Sequence, residues 1–236
     1  MLISCWRTTG FGGRMQLAPD QPIGTPPFGL SEDEIATVID LTCQGAKAAK
    51  AELVAGEWEV PITIKVRKAI RKVKKTLGLT NVEIRGEVEI DDMSTSDASI
   101  KGRIDISFKF ARQFGDEDDY VAVECKRVGA GAAFSGLNAS YVADGLVRFT
   151  NGQYATGHAV GFMLGYVLAG PIDAVTATIG TRAQKDFGAA AELKTLPGHA
   201  DALAVLGNQV LQAPGNLPIT MRHIFVDMSP AAPVTE

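Results

Sequence analysis

Three consecutive segments near the middle of the chain alternate apolar and polar residues. They are VEIRGEVEI (residues 82–90), KGRIDISFKF (101–110) and YVAVECKRV (120–128). Because successive side chains of a β-strand point to opposite faces, the alternation predicts three strands, each with one apolar face. The polar links between them favour a meander. The apolar faces are expected to consist of Val82, Ile84, Val88 and Ile90 in the first strand, Ile104, Ile106, Phe108 and Phe110 in the second, and Val121, Val123 and Cys125 in the third.

Two helices are predicted before these strands. Ser31 begins the sequence SEDE, in which a serine and a glutamate three residues apart form a capping box, and the helical pattern after it extends to about Leu53. A second helix is predicted from about Ile62 to Leu77, because apolar residues recur there every three or four positions. Residues 1–30 are rich in glycine and proline and predict an irregular arm, followed by one domain at residues 31–236.

More helices and one late strand are predicted after the third strand. MRHIFVDM (221–228) has the pattern of the strand. This order of elements favours an α/β fold, in which helices cover both faces of a sheet. The segments with helical patterns are SGLNASYVADGLVRF (135–149), TGHAVGFMLGYVLAG (156–170), IDAVTATIGTRAQKDFG (172–188) and ADALAVLGNQVLQ (200–212).

The cysteines and the apolar segments indicate in which cellular compartment the protein is expected. Cys5, Cys43 and Cys125 have no CxxC spacing, so they favour neither a disulfide framework nor a zinc site, and they fit a reducing compartment. No signal peptide is recognisable, and we expect a cytoplasmic protein. The one membrane candidate, residues 155–172, contains His158 and four glycines and is interpreted as a buried helix, so no membrane partner is expected.

The net charge of −4 hides a strongly uneven distribution. Residues 65–75 (KVRKAIRKVKK) contain seven basic residues and no acidic one. On the predicted second helix these residues surround the apolar stripe. Such a face is most often simply solvated, but it also suits contacts with the phosphates of a nucleic acid.

Charged residues share one face of the second and third strands. Asp105 lies in the middle of the second, and Glu124 and Lys126 share a face of the third. If these strands are neighbours, about 4.8 Å apart, the two carboxylates can converge. Mg²⁺ is bound by one or two carboxylates plus waters and a substrate phosphate, and a nearby lysine can orient or help deprotonate the attacking water. The alternative is a solvated face with a salt bridge between Asp105 and Lys126.

The segment 103–127, with GRID on one strand and ECK on the next, resembles the PD-(D/E)xK nuclease superfamily; a looser likeness spans residues 58–150. The resemblance implies a restriction-endonuclease-like fold, a mixed β-sheet flanked by helices, with a helical C-terminal extension in this chain. It also implies an endonuclease dependent on Mg²⁺ or Mn²⁺. Asp105 and Glu124 would bind the metal, Cys125 would contribute its backbone carbonyl, and Lys126 would serve the water. Ile104 replaces the proline that usually precedes the aspartate.

Two further features are expected from the same resemblance. An additional acidic residue is usual, with Glu59 as the first choice and Glu87 as the second. YVADGLVRFTNGQYA (141–155) resembles the helix after the motif in bacterial anti-phage defence nucleases. There, Tyr141, Gly145 and Arg148 would share one face, and Arg148 would pair with a phosphate or with a catalytic carboxylate. The residues expected to contact nucleic acid are Lys65, Lys68, Arg71, Lys72, Lys75 and Arg148.

Together with this resemblance, the sequence predicts a metal-dependent nuclease that hydrolyses phosphodiester bonds in DNA, and the resemblance alone implies a role as the effector of a bacterial anti-phage defence system. One alternative is a catalytically inactive scaffold or nucleic-acid-binding subunit of a defence complex, and another is a regulatory nucleic-acid sensor. Since no separate recognition domain is evident, targeting is expected to come from homo-oligomerisation or from a partner protein. His158 and His223 are interpreted as packing residues.

Overall fold

The computed structural model describes residues 29–91, 100–116, 119–155, 157–213 and 215–230. The predicted N-terminal arm lies outside these residues, apart from Gly29 and Leu30. The strands are β1 (Val82–Asp91), β2 (Ile100–Phe110), β3 (Val121–Val128), β4 (Val160–Val167), β5 (Lys194–Thr195), β6 (Ala204–Gln212) and β7 (Leu217–Asp227); the helices are α1 (Glu32–Lys50), α2 (Glu59–Thr76), α3 (Ser135–Ser140), α4 (Val147–Thr150) and α5 (Ile172–Phe187), with a π-helical turn, Tyr141–Leu146, between α3 and α4.

The protein is α/β, with one seven-stranded mixed sheet in the order β1-β2-β3-β4-β7-β6-β5. β1, β2 and β3 form the predicted antiparallel meander. β4 is parallel to β3, and β7 is parallel to β4, so the centre of the sheet is parallel. β6 and β5 complete the sheet in antiparallel order.

Each face of the sheet is covered by helices and has its own core. α1 and α2 cover one face, where Val38 and Ile70 belong to the first core. The segment from α3 to α4 and helix α5 cover the other face, where Phe149 and Ile179 belong to the second core. Helices on both faces are what the order of elements predicted.

The starts of the two N-terminal helices follow from the sequence. The capping box at Ser31 is confirmed, because its side chain accepts a hydrogen bond from the backbone N–H of Glu34 and the Glu34 carboxylate accepts one from the backbone N–H of Ser31. α2 begins at Glu59, three residues earlier than predicted. Its apolar stripe is buried through Ile70, whereas Leu77 at the C-terminal end is 52% exposed.

The predicted helix at 156–170 is wrong, because these residues contain strand β4. All residues of β4 except Val160 are buried, since the sheet is covered on both faces. A strand buried on both faces forms a continuous apolar run and loses the alternation by which a strand is recognised. Its glycines serve packing: a Cβ at Gly161 would lie 2.7 Å from the Phe149 ring, and one at Gly165 would lie 2.5 Å from the Phe225 ring.

The predicted helix at 200–212 is also wrong. Residues 204–212 form strand β6, which pairs with β7 along its whole length. The predicted helical C-terminal extension is thereby corrected, because the C-terminal half contributes β4 to β7 to the same sheet and only α5 is a long helix there. No helix in the described part of the chain is long and apolar enough to cross a membrane.

The alternation of β1 and β2 reverses halfway along both strands. Ile84 and Ile106 belong to the first core, whereas Ile104 belongs to the second core and Val88 packs against it. Glu87 has a φ of 54°, and a residue in this left-handed conformation interrupts the regular pleat. The expectation of one continuous apolar face is therefore wrong for β1 and β2, whereas it is confirmed for β3, where Val121, Val123 and Cys125 all belong to the first core. The reversal occurs at the level of Asp105.

The contact between α1 and α2 gives a stability prediction. A Cβ at Gly45 of α1 would lie 2.3 Å from Cγ1 and 2.9 Å from the backbone nitrogen of Ile70. We expect Gly45→Ala to lower the free energy of unfolding by about 1–3 kcal/mol through overpacking. In Gly180→Ala on α5 the nearest atoms belong to Leu193 at 3.7 Å, so that variant should gain about 0.5–1 kcal/mol from its better helix propensity. Urea denaturation measures both, and equal stability of the two variants would contradict the packing described here.

Candidate active site

The sequence-predicted charged residues meet at the junction of β2, β3 and the start of α2. The Nζ of Lys126 lies 2.6 Å from Oε1 of Glu124 and 3.1 Å from Oε1 of Glu59. It also donates a hydrogen bond of 3.0 Å to the backbone carbonyl of Cys125. We call Asp105, Glu124, Glu59 and Lys126 the acidic cluster. The salt bridges of Lys126 are thus to the two glutamates, and not to Asp105 as the alternative interpretation expected.

The Asp105 side chain joins the cluster at the point where the backbone pairing of β2 with β3 ends. β2 and β3 pair from Phe108 opposite Val121 to Ile106 opposite Val123, and the pairing ends there. One residue further, the backbone N–H of Cys125 donates a 2.8 Å hydrogen bond to Oδ2 of the Asp105 side chain. The carboxylate therefore replaces a backbone acceptor and is held against β3, next to Glu124.

Glu59 is the first residue of α2, and the structure brings it to the cluster. Its second carboxylate oxygen accepts a 3.1 Å hydrogen bond from the backbone N–H of Arg127. Its side chain is 30% exposed, whereas that of Glu124 is fully buried. Glu87, the second choice for the additional acid, is exposed on β1, and the described residues give it no hydrogen bond or ion pair to the cluster.

Arg148 approaches the cluster from α4. Its Nη1 lies 3.4 Å from Oε2 of Glu124, and its Nε donates to the carbonyl of Asp144. Tyr154 holds this guanidinium: its hydroxyl accepts from Nη1 and donates to the carbonyl of Arg103, and Arg148 stacks 5.4 Å from the centre of its ring. Sequence analysis did not single out Tyr154, although it lies in the segment 141–155 that carried the resemblance.

The π-helical turn brings the backbone close to the cluster. A Cβ at Gly145 would lie 2.6 Å from Cε of Met163 and 3.3 Å from Cγ of Lys126, so only a glycine allows this approach without displacement. π-Helical turns are frequent at functional sites. Tyr141 does not share this role, because it is buried and its hydroxyl is hydrogen-bonded to Nδ1 of His223.

The two histidines are buried, as predicted. His223 lies between the hydroxyl of Tyr141 and Oδ1 of Asn208, and burial lowers its pKa to about 3. His158 is 6% exposed and packs with its ring 5.3 Å from that of Tyr120.

The five residues of α2 that were predicted to contact nucleic acid fall into two groups. Lys65 forms a salt bridge with Glu57 at 2.7 Å, and Arg71 donates a hydrogen bond to the carbonyl of Ile84, so both stabilise the fold locally. The rest of the predicted set on this helix, Lys68, Lys72 and Lys75, is exposed.

Burial and mutual interactions shift the pKa values of the charged groups in the cluster. Burial, and then the charge of Asp105, raise the pKa of Glu124 to about 8. Burial also raises the pKa of Asp105, although Lys126 acts in the opposite direction. Burial alone would lower the pKa of Lys126, but the carboxylates of Glu124, Glu59 and Asp105 raise it above its usual value. Burial is thus the largest cause of the raised pKa of both Glu124 and Asp105.

Comparisons of the chain with protein-family models, with curated proteins and with solved structures find no match.

The cluster provides hard oxygen donors of the type that Mg²⁺ prefers. In the described ranges no group of three or more histidine, cysteine, aspartate and glutamate side chains is arranged to hold a metal ion. Mg²⁺, however, needs only one or two carboxylates from the protein, beside waters and a substrate phosphate. Asp105, Glu124 and the carbonyl of Cys125 provide such a set of oxygen atoms.

Proposed function

We propose that this protein is a nuclease that hydrolyses phosphodiester bonds in DNA and depends on Mg²⁺ or Mn²⁺. The observation that carries the proposal is the convergence of Asp105, Glu124 and Glu59 around Lys126, whose Nζ lies within 3.1 Å of both glutamates. The antiparallel pair β2 and β3, followed by a parallel strand, supports a restriction-endonuclease-like fold.

In this proposal Asp105, Glu124 and the Cys125 carbonyl would hold the cation, and Glu59 would be the additional acid. When bound, the cation offsets negative charge that develops on the phosphate. Water adds to phosphorus, the bond to the 3′ oxygen breaks, and that oxygen takes up a proton, which leaves a 5′-phosphate. Because its pKa is raised, Lys126 is protonated at neutral pH and acts as a hydrogen-bond donor that orients the water.

Arg148 would neutralise part of the charge of Glu124 or bind a phosphate, since its side chain is 30% exposed. Lys68, Lys72 and Lys75, which are exposed along α2, would contact the DNA backbone further from the cluster. Lys65 and Arg71 contribute less in this proposal, because they already bind groups of the fold.

Incubation of the purified protein with plasmid and with single-stranded DNA tests the activity. We expect products in Mg²⁺ and in Mn²⁺ and none in EDTA. DNA that stays intact in both metals would overturn the proposal, and cleavage that persists in EDTA would overturn its metal dependence.

Cation binding should release a proton, because Glu124 with a pKa of about 8 is largely protonated at about pH 7. We expect about one proton per Mg²⁺ at about pH 7 and close to none above about pH 9. Calorimetric titration in buffers with different ionisation enthalpies measures this number. A pH-independent heat, identical in all buffers, would contradict the assignment of Glu124 as a ligand.

The second candidate is a catalytically inactive nucleic-acid-binding or scaffold subunit. It is favoured by the salt bridges of Lys126 to both glutamates, since such a network also serves as a purely structural element. The same titration discriminates between the two candidates, because an inactive subunit has no need to bind Mg²⁺.

We further propose that the protein works in the cytoplasm as the effector of an anti-phage defence system, as a homo-oligomer or with a partner protein. Cys43 and Cys125 are buried free thiols, which is compatible with a reducing compartment. A plaque assay on cells that carry the wild-type gene or the Lys126→Met variant tests this role. Equal phage titres on both would overturn it.

A further inference from the structure

Trp58 is an aromatic side chain that lies largely on the surface. It is 73% exposed, the largest exposed fraction among the large hydrophobic residues in the described ranges. It occupies the N-cap position of α2, yet its side chain makes no capping hydrogen bond. N-cap positions favour serine, threonine, aspartate and asparagine, so a tryptophan there gains neither capping nor burial. Neither capping nor burial therefore explains a tryptophan at this position.

The indole lies at the rim of the acidic cluster. Trp58 directly precedes Glu59, whose carboxylate binds both Lys126 and the backbone N–H of Arg127. The guanidinium of Arg127 lies 5.1 Å from the centre of the Trp58 ring and donates a hydrogen bond to the carbonyl of Glu57. The ring is thus held beside the cluster by a cation that is itself anchored.

An exposed indole with an adjacent guanidinium is suited to bind a nucleobase and its phosphate. Bases stack on aromatic side chains regardless of their identity, and a cation next to the ring attracts the phosphates that join them. Within a duplex the flat faces of the internal bases are already stacked on each other, so away from the ends a base has to be unpaired to stack on the indole. Val60, in the first turn of α2, is also 59% exposed.

We propose that Trp58 binds an unpaired nucleobase next to the acidic cluster, so that the preferred substrate is single-stranded nucleic acid or a frayed end. The ligand class rests on the proposed nuclease function. The binding itself requires neither a metal nor cleavage.

Fluorescence titration in EDTA measures the binding directly. The chain has two tryptophans, so a Trp6→Phe background leaves Trp58 as the only reporter. We expect a single-stranded oligothymidylate to quench the emission. In a labelled-oligonucleotide assay, Trp58→Ala should bind the single strand about five- to a hundredfold more weakly, and a matched duplex with unchanged affinity. Trp58→Phe should retain part of the binding.

Leu77→Ala is the matched control, because Leu77 caps the other end of α2 and is 52% exposed. It should bind the single strand as the parent protein does. Equal affinity of Trp58→Ala and the parent, or no oligonucleotide binding at all, would overturn the inference. So would dissociation of an oligomer by Trp58→Ala with unchanged oligonucleotide binding, which would assign the ring to a contact with a second copy.

A parallel cleavage assay separates this inference from the proposed function. Cleavage in Mg²⁺ without quenching in EDTA overturns the stacking inference alone. Quenching without cleavage supports stacking and overturns the nuclease activity. Absence of both quenching and cleavage overturns the stacking inference and the proposed nuclease activity together.

Discussion

Replacement of Lys126 by methionine is expected to lower the rate of DNA cleavage by about 10²- to 10³-fold, the usual cost of removing one positioned hydrogen-bond donor from an active site. Its ammonium donates to Glu124, to Glu59 and to the carbonyl of Cys125, and methionine keeps the length of the side chain without these donors. Asp105→Asn is expected to have an effect of similar size, because an amide is a poorer ligand for Mg²⁺. Single-turnover cleavage at saturating Mg²⁺ measures both rates.

Glu89→Gln is the matched control for these variants. Glu89 lies on β1 and pairs with Arg103 at 2.8 Å on the surface, so this change removes a carboxylate without touching the cluster. Circular dichroism should show that all three variants are folded. The nuclease proposal fails if folded Lys126→Met and Asp105→Asn both cut at the rate of Glu89→Gln.

The free energy of unfolding in EDTA is expected to fall by about 3–5 kcal/mol between about pH 4.5 and about pH 8. The pKa of Glu124 is about 8 in the folded protein, against 4.5 for an ordinary glutamate. Between these values the native state binds more protons than the unfolded state, so raising the pH destabilises the native state. Above about pH 8 both states are ionised and the contribution of Glu124 becomes constant.

Glu124→Gln should remove most of this pH dependence, because an amide does not titrate. Urea denaturation of both proteins at about pH 5, 7 and 9 compares the slopes. Saturating Mg²⁺ should raise the free energy of unfolding of the wild-type protein at high pH. It should raise that of Glu124→Gln much less. Parallel pH profiles of the two proteins would show that Glu124 has no raised pKa.

Alternation was the most informative signal in the sequence, and it worked where charged or polar residues interrupt the apolar residues of a strand. It located β1, β2 and β3, and it placed Glu124 and Lys126 side by side. It failed for β4, which is buried on both faces, and for residues 200–212, where the apolar run of β6 has no clear period of two. In both cases the strand conformation depends on long-range pairing with neighbouring strands. A local pattern of residues carries no information about that pairing.

The position of Asp105 depends on a detail that alternation does not predict. A regular strand would have directed Ile104 and Ile106 to the same core, but the structure places them in different cores. The break in the pleat turns the Asp105 carboxylate toward the backbone N–H of Cys125. Spacing therefore identified the residue, whereas its hydrogen bond follows from the irregularity at Glu87 on the neighbouring strand.

The remaining residues of the site were less accessible to sequence analysis. Glu59 was named through the resemblance, and its place depends on where α2 begins, which the helical period located three residues too late. Tyr154 and Trp58 act through partners far away in the chain, Arg103 for the first and Arg127 for the second. No local pattern marks such contacts.

Anomalous diffraction from crystals soaked in Mn²⁺ tests most directly whether the acidic cluster is a cation site. We predict one strong anomalous peak within about 2.0–2.3 Å of carboxylate oxygens of both Asp105 and Glu124. The same peak should be absent from crystals of Asp105→Asn. A wild-type crystal with Mn²⁺ bound elsewhere and none between these two carboxylates would contradict the proposed site.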